Sequence, residues 1–154
     1  MTQVLASVGA VYHVRRQRSA EILYTVRGEL MSATPRFYLV KGEGQEALAD
    51  LCANFIKTKY DIAVNGEPLA SIVFPAVAFK KTLILTAAGQ TYLADGGVFK
   101  GIFQCKDDAG EIVLEIAKEL AIRDTFRMSR NETLPLEVGL LSVAAIHSRY
   151  YEMV

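Results

Sequence analysis

The chain has 154 residues, 51% hydrophobic and 22% charged, enough for one domain with a sizeable core and too apolar for a disordered polypeptide. Seventeen basic and seventeen acidic side chains leave no net charge. That balance excludes a general nucleic-acid binder, whose affinity rests on excess Lys and Arg neutralising phosphates.

Residues 1–10 have no basic start followed by an apolar run, so no signal peptide is expected. The first distinctive segment is His13-Val14-Arg15-Arg16-Gln17-Arg18. Its guanidinium groups suit bidentate contacts with phosphates or a partner's acidic surface. Lys57, Lys59, Lys80 and Lys81 would enlarge the patch if the fold gathers them. A solvated loop, or charge protecting an exposed strand, explains the same residues. Next, Ile22, Tyr24 and Val26 alternate with polar residues at the period of two that a strand imposes.

A turn signal then recurs. Gly44, Gly66, Gly89 and Gly110 lie 22, 23 and 21 residues apart, each followed by an acid or amide and a short apolar run. Glycine supplies the positive φ of tight hairpins, and Asn65-Gly66 is the preferred type I′ pair. Between the turns the alternation continues. Tyr60, Ile62 and Val64 oppose Lys59 and Asp61; Ala70, Ile72 and Phe74 line up; Phe99, Phe103 and Cys105 share a side with Gly101. Ile112, Leu114 and Ile116 are expected on one face, with Glu115 opposite. Each unit therefore reads as two strands and two turns, an antiparallel meander. Cys52 and Cys105, in apolar surroundings without CxxC spacing, are expected to be reduced core residues.

Asp107, Asp108 and Glu111 make an acidic turn without the ligand spacing of an EF-hand, and turn chemistry accounts for it. Arg123, Thr125 and Arg127 fall on one strand face, expected outward with cross-strand charge pairs. From Leu134 the pattern changes. Pro135 and Glu137 suit a helix start, and His147 and Arg149 suit its end. Between them the residues are apolar on nearly every face, so a helix over about 134–149 must be enclosed. Only the preceding sheet can enclose it. The fold class expected is mainly β: a closed or nearly closed antiparallel barrel wrapped around the C-terminal helix, with 1–154 as one domain. Gly139 and Ala144 would let strands approach that helix closely. The apolar run 138–146 is less than half of the roughly 20 residues a membrane span needs. A cytoplasmic protein without a conventional anchor is the expectation.

The arrangement resembles the tubby C-terminal-like superfamily, which includes the phospholipid scramblases and the LURP-one-related proteins. The resemblance covers roughly residues 37–154. It rests on the hairpins at Asn65-Gly66-Glu67 and 107–111, and on the closing segment 134–147. That segment is similar to the family's ending, an acid-Pro pair, an aliphatic run and Ala-Ile-Asp; here Leu134 stands for the acid and His147 for the Asp. The resemblance implies a barrel of about twelve strands around the helix. At superfamily level it also implies binding of anionic phospholipid. No stretch matches the family's phosphoinositide-binding residues position by position, and the scramblases' cysteine clusters and Pro-rich N-terminal region are missing, so no site residues transfer.

No GxSxG, GxGxxG or GxxxxGK[ST] sequence is present, and two histidines are too few for a His-rich metal site. His147 is expected to cap the helix or bond a strand backbone. The function expected is a non-enzymatic binding or scaffold module without cofactor or metal, meeting an anionic membrane surface or a protein partner. Its candidate contact residues are Arg15, Arg16, Arg18, Lys80 and Lys81. The alternative is a barrel holding a small apolar ligand, or an enzyme with a site at the barrel mouth. A helix filling the interior would argue against it.

Overall fold

The computed structural model describes residues 2–8, 11–29, 33–75, 81–96, 101–119 and 124–151. Twelve antiparallel strands follow one another around a closed barrel, with the first paired to the last. They are β1 (Thr2–Val8), β2 (Val11–Arg16), β3 (Tyr24–Gly28), β4 (Arg36–Lys41), β5 (Ala47–Ala53), β6 (Lys59–Val64), β7 (Glu67–Val73), β8 (Lys81–Ala87), β9 (Gln90–Gly96), β10 (Ile102–Lys106), β11 (Ile112–Glu119) and β12 (Thr125–Arg130). Helix α1 (Leu136–Ile146) follows and runs into one π-helical turn, His147–Tyr151. The expected fold class is thus observed, with the helix ending three residues earlier as regular α.

Because every hairpin adds two strands, the recurring glycines all come to one end of the barrel. Asn65 and Gly66 sit at φ 52° and 80°, the left-handed pair of a type I′ turn. Ala88 and Gly89 repeat this at 52° and 75°. At the first turn the reading needs correcting: Gly42, at φ 57°, takes the left-handed position rather than Gly44. We call this the glycine end. The 131–135 connection returns the chain there, so α1 enters at the glycine end and finishes at the other, the helix end.

Alternation places Leu5, Tyr12, Val14, Val26, Leu39, Leu51, Ile62, Ile72, Leu85, Phe126 and Met128 inside. Every residue from 138 to 146 is buried, including Ser142, whose hydroxyl donates to the Val138 carbonyl at 2.6 Å. An all-round apolar helix finds in the barrel the only enclosure the chain offers. Gly139 lies where a Cβ would stand 2.9 Å from Met128 Sδ and 3.6 Å from Leu114 Cδ1, so its missing side chain permits close contact with β12 and β11.

β11 departs from simple alternation. A bulge opposite Cys105 and Lys106 shifts the register, so Val113 and Leu114 are both buried while Ile112 is exposed. A bulge inserts an extra residue and reverses facing beyond it, which a strict period of two cannot anticipate. Both cysteines are free; Cys105 is buried and Cys52 half-buried. The expected positions of Phe99 and Arg123 lie outside the described residues.

The barrel closes where β1 pairs with both β2 and β12, Leu5 lying opposite Val14 on one side and Phe126 on the other. The outward faces carry charge: His13, Arg27, Asp61, Glu115 and Arg127 alternate with the core residues. This is unlike the apolar band of a barrel that faces lipid. Among the described residues no helix is long and apolar enough to cross a membrane.

Candidate functional site

The residues singled out in the sequence divide between the two ends. Arg15 points outward near the end of β2, and its Nε donates to the Ala20 carbonyl at 3.2 Å. Arg16, the last residue of β2, and Arg18, in the turn that follows at φ 65°, are exposed. These three belong to the glycine end. Lys81 begins β8, whose backbone pairs there with Gly96. That strand start is at the helix end, and β8 lies six strands from β2, halfway around the barrel. One patch uniting Arg15, Arg16 and Arg18 with Lys81 is therefore not formed. Lys80 lies outside the described residues. Lys57 and Lys59, at the β5–β6 turn, join the helix end.

Arg127 faces outward as expected and pairs with Glu119 across the strands at 2.5 Å. The acidic turn explains itself: Asp107 Oδ1 accepts the backbone N–H groups of Ala109 and Glu111, each at 2.9 Å. No group of three His, Cys, Asp or Glu among the described residues is placed to hold a metal ion.

At the helix end the structure assembles a polar chain that the sequence did not announce. His147, buried at the start of the π turn, bonds through both ring nitrogens. Nε2 is hydrogen-bonded to Asp124 Oδ2 at 2.7 Å, and Nδ1 to the Tyr12 hydroxyl. Lys118 Nζ adds a contact with Asp124 Oδ1 at 3.3 Å. Burial pushes the Asp124 carboxyl upward, but the hydrogen bonds and positive charge of His147 and Lys118 outweigh it and hold the carboxyl below its usual range. His147 thus stands at the C-cap of α1, one of the two roles expected for it, while its ring bonds side chains from β2 and from just before β12 rather than a strand backbone. Beside it the Tyr60 hydroxyl donates to Ser148 Oγ at 2.9 Å, and that of Tyr150 to the Thr82 carbonyl at 2.8 Å. Phe74, Phe103, Phe126 and Tyr12 enclose these groups at ring-centroid distances of 5.4 to 5.9 Å. With both imidazole nitrogens engaged and the ring buried, this arrangement anchors the helix rather than offering a free base. The Cys105 thiol, pushed up to about 12 by burial, is no nucleophile either.

Two clefts of about 370 and 460 Å³ open on the outer surface, and one of about 160 Å³ lies at the glycine end between Gln3, Arg130, Glu132 and Leu136, reaching the buried Met128. The largest runs between Arg36, Tyr38, Asp50 and Asn65, open to solvent. The helix end also carries an apolar feature that alternation did not flag: Phe55 and Ile56, 80% and 65% exposed at the tip of the β5–β6 turn. Their signal in the sequence is an apolar pair just after Asn54, where a turn calls for polar residues. No protein-family model and no curated protein matches the chain, so the reading of these surfaces rests on their own chemistry.

Proposed function

We propose that the chain is a non-enzymatic β-barrel module of the tubby-like, scramblase-related kind, working from its outer surface in the cytoplasm. Its partner is an anionic phospholipid membrane, bound peripherally, or a protein for which it acts as scaffold. The observation that carries this reading is the packed interior. Helix residues 138–146 are all buried within the strands, so the barrel axis is occupied by side chains. The two larger clefts among the described residues open to solvent. The competing reading, an apolar ligand inside the barrel, needs the space that Leu140, Leu141, Val143 and Ile146 fill.

Co-sedimentation with neutral, anionic and phosphoinositide-containing vesicles tests it. Anionic vesicles are expected to carry the protein down, less so at physiological than at low salt, because exposed charges are screened over about 10 Å at 0.1 M. Combined Arg15→Ala, Arg16→Ala and Arg18→Ala substitution measures what the glycine end contributes. Failure to sediment with any vesicle overturns the membrane reading and leaves the protein partner.

A further inference from the structure

The β5–β6 turn is built firmly. Lys57 N–H donates to the Asn54 carbonyl at 3.2 Å, closing a β-turn with Phe55 and Ile56 at its two central positions. Asn54 Oδ1 accepts from the backbone of Thr58 at 2.8 Å and Lys59 at 3.1 Å, and Asn54 Nδ2 donates to Thr58 Oγ1 at 2.7 Å. The Asn54 backbone N–H completes the closure on the Lys59 carbonyl at 2.9 Å. Every constraint on the tip's shape comes from residues other than Phe55 and Ile56. Those two contribute almost nothing to the core, yet they are the most exposed large apolar side chains among the described residues.

The charges nearest the tip in the sequence are both basic. Lys57 and Lys59 flank it directly. On the neighbouring strands Glu29 and Asp50 share one partner, Arg36, at 4.0 and 3.9 Å. Asp61 is exposed two residues further down β6. A small convex apolar tip beside lysines fits a bilayer interface, where apolar side chains enter below the headgroups and cations meet anionic phosphates. A protein site of ordinary size would call for a broader face.

Resting on the membrane reading above, we propose that the β5–β6 turn is the membrane-inserting element: Phe55 and Ile56 enter the interface of an anionic bilayer while Lys57 and Lys59 meet its headgroups. The helix end then faces the membrane, and the Arg16–Arg18 turn, at the opposite end, faces away.

The chain has no tryptophan, so Phe55→Trp places a single indole at the tip. With anionic vesicles its emission is expected to shift to the blue and to be quenched by lipids brominated in their acyl chains. Phe55→Ser/Ile56→Ser is expected to melt like the parent and to bind the same vesicles about tenfold more weakly or worse, losing the salt-resistant part of binding. Sedimentation of the parent with neither a blue shift nor any loss in the double-serine variant overturns the insertion while sparing the membrane reading. A parent protein that sediments with no vesicle overturns both, and leaves the tip to a protein pocket.

Discussion

Asp124 shows how one residue can tie the end of a helix to a barrel. Its carboxylate joins His147 from the π turn and Lys118 from β11, and through His147 it reaches Tyr12 on β2. A carboxyl held below its unfolded value stabilises the fold above that value, about pH 3.9, and loses the contribution as pH falls through the lower folded value. Asp124→Asn should therefore cost about 1 kcal/mol at neutral pH, a figure reduced for the exposure of the carboxylate. The difference from the parent should close as pH falls below about 4 and through the lowered folded value, as followed by urea midpoints. A gap unchanged across that range would show that shape, not charge, is what Asp124 contributes. None of this was legible from spacing. His147 was visible as a helix-end histidine, but Tyr12 lies 135 residues away and Asp124 lies 23. No local pattern links such positions.

The elements were far easier to read, because strands and helices declare themselves over a few neighbouring residues. Buried alternation such as Tyr60, Ile62 and Leu83, Leu85 follows from the two-sided pleat, and it needs only the sequence. Where a strand bends it fails, as at Val113, since a bulge is defined against the partner strand. The turns carry their own test. Ala88 occupies a left-handed position that non-glycine residues other than Asn and Asp adopt at a cost. Ala88→Asn should stabilise the β8–β9 hairpin by about 0.5–1 kcal/mol, read as a rise in melting temperature of about 1–4 °C. Inside the barrel, Gly139→Ala meets only the flexible end of Met128, and the helix gains propensity, so little net change is expected. Gly139→Leu must displace β11 and β12 side chains, and should cost about 1–3 kcal/mol or more by the same measurement.

At the scale of the molecule, closure depends on β1, the only strand paired to both the second and the last. Removing residues 1–8 would leave β2 and β12 with unpaired edges and open the wall around Phe126 and Met128. The truncated chain is expected to lose cooperative unfolding and to aggregate, measurable by calorimetry and light scattering; a sharp, monomeric transition would show that the barrel closes without it. Adding residues 134–151 in trans is not expected to rescue it, since the helix needs an intact wall. The sequence by itself determined that the chain alternates like strands, turns at regular intervals and ends in a helix that must be enclosed. Those properties follow from periodicity and turn chemistry, which act between neighbours, and enclosure follows because apolar surface on every side has nowhere else to go. Only the tertiary structure decided which side chains meet. It put the arginine turn and the Lys81 strand start at opposite ends, set Asp124 and Tyr12 on His147, and left Phe55 and Ile56 outside. Those outcomes depend on strand direction and register around a closed ring, which bring together residues that no short-range pattern can relate.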